Sequence, residues 1–270
     1  MGSSKVKGVR DDSQKNSGWD PNIFMARVLQ YMEMPQYLRK QLIPMHPDLR
    51  FVGLLAPLDT PHHVRAEEPS PFREGLVSKK ELKSGCLVHV GLRKDVRLNK
   101  AIKAGVRVTV RIENPEMITK HPKGKAVAPS VPREESGLYW GYTTRLATSI
   151  SEVFTGSPFH GGYDVTLGTS ERGSTSVDDD DFAIKPFQHL LLVFGGVKGI
   201  EASIDNDEAF DLAGADSHKL FDMWVNTCPH QGSRTIRTEE AVLLSLARLS
   251  PYIIKNFDAV PSLTSGEISS

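Results

Sequence analysis

The 270-residue sequence has only two cysteines, Cys86 and Cys228, and no apolar run longer than 190–194. Two cysteines are too few for a disulfide framework or a four-ligand zinc site, and they fit a reducing compartment. No segment approaches the about 18 apolar residues that a membrane-spanning helix needs. Residues 1–18 also lack the apolar core of a signal peptide. We therefore expect a soluble, intracellular protein.

Net charge is also absent, because 33 Lys and Arg balance 33 Asp and Glu, but the two signs are separated along the chain. Residues 73–125 carry 14 basic and five acidic side chains, whereas residues 146–270 carry eight basic and 18 acidic ones. A positive field of this density attracts a polyanion and gains free energy by releasing its counterions. Nucleic acid is therefore the first partner to consider, and a solvated basic face is the alternative.

The first half of the chain predicts two helices followed by a small β-structure. Asp20 and Pro21 supply a cap and a first-turn proline for a helix that ends before Pro35. A second helix is predicted over 36–42 and a short strand over 51–55.

Residues 71–135 are interpreted as a small β-barrel of the oligonucleotide/oligosaccharide-binding (OB) type. Short alternating segments at 85–90 and 105–112 predict strands with one buried and one exposed face, and the arginines of 105–112 share the exposed one. Closely spaced strands with a basic outer face are what an OB barrel needs. Another small β-sandwich remains an open alternative.

The second half alternates strands and helices, which predicts an α/β structure with a mainly parallel sheet. The last helix is predicted to be capped by Thr238, with two glutamates in its first turn. The predicted strands cover residues 138–145, 163–167, 189–194 and 220–225, and a short helix covers 146–154.

Three glycine-containing loops follow strands of this sheet, at 168–173, 195–199 and 226–238. Ligands of open parallel sheets collect beyond the carboxyl ends of the strands. Gly195 and Gly196 let the main chain approach a flat ligand such as an adenine. The order Gly-Gly-Val-Lys-Gly differs from the dinucleotide-binding fingerprint, and the Gly-Lys-Ser/Thr of a P-loop does not occur. A tight strand-to-helix turn explains the glycines equally well.

Metal and thiol chemistry are less favoured. His62 and His63 have no partner at metal-ligand spacing, so we interpret them as structural or surface residues. Cys228 is interpreted as a small thiol beside a loop proline rather than a nucleophile. No metal site is predicted.

Together, several segments resemble one family, the SPOUT-type RNA methyltransferases that carry an OB-like insertion. The matching runs extend over about residues 24–250, and the most specific is VNTCPHQGSRTIRTEEAVLLSLARL. The others are LQYMEMPQYLRK, APLDTPHHVR, FREG, GLYWGYTTRLA, TLGTSERGS and LLVFGGVKGIE. The resemblance implies a trefoil-knotted α/β domain, S-adenosylmethionine (S-adenosyl-L-methionine) as cofactor, a homodimer, and methylation of uridine N3 in large-subunit ribosomal RNA.

The resemblance, the three loops and the basic barrel together suggest site residues. The proposed cofactor-binding set comes from the three loops: Arg172, Gly195, Gly196, Gly199, Asn226, Thr227, Gly232, Ser233 and Thr238. Candidates for a cation that assists catalysis, or that contacts RNA phosphate instead, are Arg145, Arg234 and Arg237. The predicted RNA-binding residues of the barrel are Arg93, Lys94, Arg97, Arg107 and Arg111.

The resemblance also implies a domain division and a location in the cell. The methyltransferase domain is expected to be discontinuous, over 19–70 and 136–260, with the barrel 71–135 inserted. Residues 1–18 are polar and show no period, so a disordered leader is expected there, and a flexible tail over 261–270. Family members begin with a strand, a helix and a strand that this sequence lacks, so we expect a sheet short of two strands. The nucleus or nucleolus is the expected location. A non-catalytic RNA-binding module and a protein that interacts at the spindle or centromere are the alternatives.

Overall fold

A computed structural model describes residues 20–80, 82–116, 122–209 and 211–259. The predicted leader, 1–18, and tail, 261–270, lie outside the described residues. The chain forms two compact units that divide between Leu146 and Ala147. No helix of the described residues is long and apolar enough to cross a membrane.

The first unit opens with the two predicted helices. Helix α1 covers Pro21–Glu33, and the Asp20 carboxylate accepts hydrogen bonds from the main-chain N–H groups of Asn22 and Ile23. Helix α2 covers Gln36–Leu42. Short 3-10 helices follow at Pro47–Leu49 and Val52–Leu54. The predicted strand over 51–55 is therefore wrong, because so short an apolar run does not distinguish strand from helix.

The predicted β-barrel is confirmed. Its strands are β1 (Phe72–Val77), β2 (Cys86–His89), β3 (Val96–Leu98), β4 (Arg107–Ile112) and β5 (Lys123–Val127). They close in the order β1-β2-β3-β5-β4, with β1 antiparallel to β4 and β3 parallel to β5. Alternate side chains fill the interior with valine, leucine and isoleucine, among them Val88, Val96, Leu98 and Val110. A short helix, α3 (Val131–Ser136), follows the barrel.

The outer face of β4 is covered at Arg107 and Thr109 rather than exposed, which corrects the expectation from its alternation. Arg107 donates hydrogen bonds to Glu74 Oε2 at 2.6 Å and to both carboxylate oxygens of Glu33, at 2.7 and 2.8 Å. Thr109 and Trp140 each donate to Glu74 Oε1 at 2.6 Å. Both glutamates are buried. A buried ionic network thus joins α1, β1 and β4.

Residues 138–145 form an extended segment without strand pairing in the described structure, so the predicted strand is wrong there. Side chains, not a main-chain ladder, hold it. Trp140 bonds to Glu74, and the Tyr142 hydroxyl donates to the Leu29 carbonyl at 2.8 Å. Gly141 has φ +84° and lies against the Glu33 carboxylate and the His62 ring.

This network predicts acid sensitivity of the fold. Burial acts to raise the pKa of Glu33, but hydrogen bonds and charge from Arg107 and His62 outweigh it and lower the pKa from 4.5 to about 2. A carboxylate with a depressed folded-state pKa stabilises the protein above its unfolded pKa and loses that contribution as pH falls through the folded one. We expect about 3 kcal/mol of the free energy of unfolding to disappear between about pH 5 and pH 2.

Urea denaturation followed across that pH range measures the effect. The Glu33→Gln variant lacks the titrating group, so its stability should depend less steeply on pH than that of the wild type. Equal slopes for the two proteins would contradict the role of Glu33.

The second unit contains a parallel sheet, as predicted. Its strands are β6 (Val165–Thr169), β7 (Thr175–Ser176), β8 (Leu190–Val193) and β9 (Met223–Asn226), in the order β7-β9-β6-β8. All three pairings are parallel. The helices are α4 (Ile150–Thr155), α5 (Glu201–Asp205), a 3-10 helix at Gly214–Leu220 and α6 (Thr238–Ala259).

Two apolar clusters hold the sheet. Leu167, Val225 and Leu249 are fully buried in one cluster, and Ile200 and Trp224 belong to the other. Helix α6 begins with Thr238, which was predicted to be the cap before the first turn, and continues through Pro251. Strands β6, β8 and β9 begin and end within three residues of predicted strands, whereas β7 was not predicted. The short helix predicted over 146–154 begins four residues later, at Ile150.

Candidate functional site

The parallel pairing brings the ends of three strands to one edge of the sheet. Strand β6 lies between β8 and β9, so Thr169, Val193 and Asn226 end side by side. Thr169 Oγ1 donates to the Val193 carbonyl at 2.9 Å, and the Ser170 main-chain N–H donates to the Val225 carbonyl at 3.0 Å. The three predicted loops therefore leave the same edge, where ligands of such sheets bind.

Asn226 joins the first loop to the third. Its Nδ2 donates to the Glu171 carbonyl at 3.0 Å, and its Oδ1 accepts from the Cys228 main-chain N–H at 3.0 Å. Arg172, exposed, follows Glu171 directly. A Cβ on Gly173 would overlap the main chain of Val225 and Asn226. The first loop is thus held against the end of β9.

The second loop is a tight turn with one open glycine. The main-chain N–H of Gly199 donates to the Gly196 carbonyl at 2.9 Å, and Gly199 has φ +79°, which favours glycine. A Cβ on Gly195 would lie 2.5 Å from main-chain atoms of Gly199 and Ile200. A Cβ on Gly196 would meet no atom within 4 Å. Gly195 is therefore required by the turn, whereas the space that a side chain would fill at Gly196 is open.

Thr238 joins the second loop to the end of the third. Its hydroxyl donates to the Gly195 carbonyl at 3.3 Å. With the bond between Asn226 and Glu171, this contact connects all three loops. The structure thus brings Arg172, Gly195, Asn226 and Thr238 to neighbouring loops of one edge, although they are far apart in the sequence.

The remaining predicted cofactor residues differ in what their side chains can do. Thr227 is buried, and its hydroxyl lies 2.7 Å from that of Ser245 inside the protein. Ser233 is exposed, but its hydroxyl donates to the Thr235 carbonyl at 2.7 Å. Gly232 is exposed, and a Cβ on it would meet no atom within 4 Å. Thr227 can therefore contribute only main-chain atoms to a ligand.

The three candidate catalytic arginines are all exposed. Arg234 and Arg237 belong to the third loop, and the Arg237 main-chain N–H donates to Glu240 Oε2 at 3.3 Å. Arg145 belongs to the first unit, at the end of the extended segment.

The predicted RNA-binding residues of the barrel fall into two groups. Lys94 and Arg97 are exposed, and Arg93 is exposed in an ion pair with Glu67 at 3.1 Å. Arg111 pairs with Glu135, and Arg107 is held by two carboxylates. Burial opposes the charge on Arg107, but its two glutamate partners raise its pKa. Because contact with RNA would break those pairs, we leave Arg107 out of the proposed interface.

Sequence reasoning missed Gly173, Lys123 and Lys125. The two lysines alternate with Gly124 in β5, and both are exposed. Their spacing of two residues, which places both side chains on one face of a strand, could have identified them from the sequence. No sequence pattern indicated that Gly173 lies against β9, because this contact depends on the order of the strands in the sheet.

A family described as "Putative RNA methyltransferase" matches residues 2–249. The chain belongs to this family. It is 51% identical over 236 residues to the human 28S rRNA (uridine-N(3))-methyltransferase, covering 86% of this chain and 61% of that protein.

Two further proteins are similar to this chain. The 28S rRNA (uridine-N(3))-methyltransferase of Drosophila melanogaster is 51% identical, over 83% of this chain and 46% of its own length. An uncharacterized protein of Halobacterium salinarum is 28% identical, over 84% and 80% respectively. The chain thus spans about half to three fifths of the length of the animal family members it matches.

Proposed function

We propose that the protein is an S-adenosylmethionine-dependent RNA methyltransferase that modifies uridine N3 in large-subunit ribosomal RNA. The observation that carries the proposal is the connection of three loops at one sheet edge, by the bonds from Asn226 to Glu171 and from Thr238 to Gly195. Membership of the RNA methyltransferase family supports the reaction class. The names of the animal relatives support the target nucleotide.

Fold details belong to the same proposal. The strand order β1-β2-β3-β5-β4, with β3 and β5 parallel, supports the OB type for the barrel. The trefoil knot and the discontinuous domain, 19–70 and 136–260 around 71–135, rest on the resemblance to the SPOUT family.

The loops fit a cofactor of this kind. An adenosyl group needs main-chain donors and acceptors without obstructing side chains, and the space that a side chain would fill is open at Gly196 and Gly232. Asn226, Thr238, Arg172 and Gly195 would hold the cofactor, with main-chain help from Gly199 and Thr227. S-adenosylmethionine supplies an electrophilic methyl group when bound.

The remaining task of the protein is to position the uridine. A methyl transfer needs in-line placement, and positioning contributes about 7 to 11 kcal/mol at most to lowering such a barrier. As N3 takes the methyl group and the demethylated cofactor leaves, the N3 proton of the uracil must pass to solvent water or to a base, so negative charge develops on the ring. A cation near the ring stabilises that charge. We assign this role to Arg234 or Arg237. The other one of these two, together with Arg145, is assigned to contact with RNA phosphate.

A homodimer is part of the proposal. Helix α6 exposes Leu243, Leu246 and Ile254, by 75%, 42% and 57%. The first two are three residues apart and therefore lie on one face of the helix. Burial against a second copy would remove this apolar surface from water. The proposed substrate makes the nucleolus the proposed location, and the present observations favour no spindle partner.

Titration calorimetry with S-adenosylmethionine, and with its demethylated product, tests the cofactor site. We expect one binding site per chain, lost in Gly196→Trp because the indole fills the open space at that glycine. Asn226→Ala should also lose binding, because the side chain joins two loops.

The matched control is Gly53→Trp. Gly53 also has no atom within 4 Å of a Cβ, but it lies in the first unit, so this variant should bind the cofactor normally. Absence of binding by the wild-type chain contradicts the proposal. Incubation with labelled cofactor and total RNA, followed by mapping of the modified base, separates an enzyme from a non-catalytic RNA-binding module.

A further inference from the structure

Three exposed cations share one outer face of the barrel. Arg97 in β3 lies directly opposite Lys123 in the parallel strand β5, and Lys125 follows two residues later on the same face. All three side chains are exposed. We call Arg97, Lys123 and Lys125 the basic ridge.

The ridge differs from the other arginines of the barrel exterior. Arg107, Arg111 and Arg93 are each paired with a carboxylate. Within the ranges that the structure describes, none of the ridge residues forms an ion pair. Arg97 and Lys123, which carry the same charge, are direct neighbours. Like charges on paired strands repel each other. The exposed Glu113 donates its main-chain N–H to the Lys123 carbonyl at 2.9 Å, but its side chain forms no ion pair with the ridge in the described ranges, so the three charges stay available to an anion.

We infer that the basic ridge binds consecutive phosphates of a single-stranded segment of the substrate RNA. This inference rests on the proposed function for the nature of the polyanion. Residues two apart on a strand are separated by about 6.6 Å, and neighbouring strands by about 4.8 Å. Lys123 and Lys125 therefore follow a line along β5, with Arg97 beside it. A planar guanidinium suits bidentate binding of phosphate.

The chemistry of the ridge assigns it a positioning role. Contacts to phosphate fix the register of an RNA on a protein but read no sequence. None of the three ridge residues is aromatic, so the ridge itself offers no ring on which a base could stack. The ridge thus holds the RNA backbone, and base selection occurs elsewhere.

The test measures the affinity of the full chain for a short fluorescent oligouridine by anisotropy, between about 50 and 200 mM salt. Each phosphate contact to a single strand contributes about 0.7 to the slope of log K against log salt. The triple variant Arg97→Ala/Lys123→Ala/Lys125→Ala should therefore lower that slope by about 2. The variant Lys123→Arg/Lys125→Arg keeps the charges and should keep the slope.

A matched control removes the same charge from other places. Lys40→Ala/Lys219→Ala/Lys255→Ala replaces three exposed lysines outside the ridge and should keep the wild-type slope. An equal loss of slope in both triple variants would show that net charge alone acts, and would overturn the inference. Ridge-dependent binding of polyglutamate without binding of oligouridine would assign the ridge to an acidic protein and would also overturn it.

Cofactor binding, measured on the same variants, keeps the two proposals apart. The ridge variants should bind S-adenosylmethionine as the wild type does. If the wild type binds no cofactor but the ridge governs the salt slope, the proposed enzyme fails and the RNA surface stands. If the wild type binds cofactor and the ridge variants keep the full salt slope, the ridge inference fails and the enzyme stands.

Discussion

Replacement of Arg107 by methionine is expected to lower the free energy of unfolding by about 3 to 5 kcal/mol. Arg107 is the cation that both Glu33 and Glu74 contact through side-chain hydrogen bonds, at 2.6 to 2.8 Å. Both glutamates are buried, so methionine leaves two carboxylates away from water without this partner. Removing one partner of a buried ion pair costs more than removing the whole group of charges.

Urea denaturation of the variant and the wild type at pH 7 measures this loss. The control Arg93→Met removes an exposed ion pair with Glu67, and its effect should stay within about 1 kcal/mol. The triple variant Glu33→Gln/Glu74→Gln/Arg107→Met leaves no buried charge uncompensated and should recover part of the stability. A loss below about 1 kcal/mol in Arg107→Met alone would contradict the role of the network.

The second large effect is expected at Gly173. A Cβ there would approach the main chain of Val225 and Asn226, which cannot move without displacing the end of β9. We expect Gly173→Ala to cost about 3 kcal/mol, at the upper end for overpacking. Because the displaced strand end carries Asn226, cofactor binding should weaken as well.

Gly196→Ala is the matched control, since a Cβ at that position meets no atom within 4 Å. Its free energy of unfolding should change by less than about 0.5 kcal/mol. Thermal unfolding of both variants measures the difference. Equal melting temperatures for the two would show that the first loop yields easily, contrary to the close packing described above.

Local signals predicted the elements that local physics forms. The cap at Asp20 predicted the start of α1, because a carboxylate next to free main-chain N–H groups stabilises a helix end in any context. The alternation of Val108, Val110 and Ile112 with polar residues predicted β4, and Val110 and Ile112 face the barrel core. The weaker cases were short apolar or aromatic segments, such as 51–55 and 138–145, where strand partners decide the outcome.

The sequence by itself determined the family, the alternation of strands and helices, and the three loops that follow the sheet strands. Tertiary structure alone decided which charges remain available. Sequence reasoning named Arg107 and Arg97 alike as RNA-binding residues of the barrel, but Glu33, 74 residues away from Arg107, neutralises one while the other stays exposed. Partners so distant are chosen by how the elements pack, because the energy of an ion pair depends on distance and burial in space and not on separation along the chain.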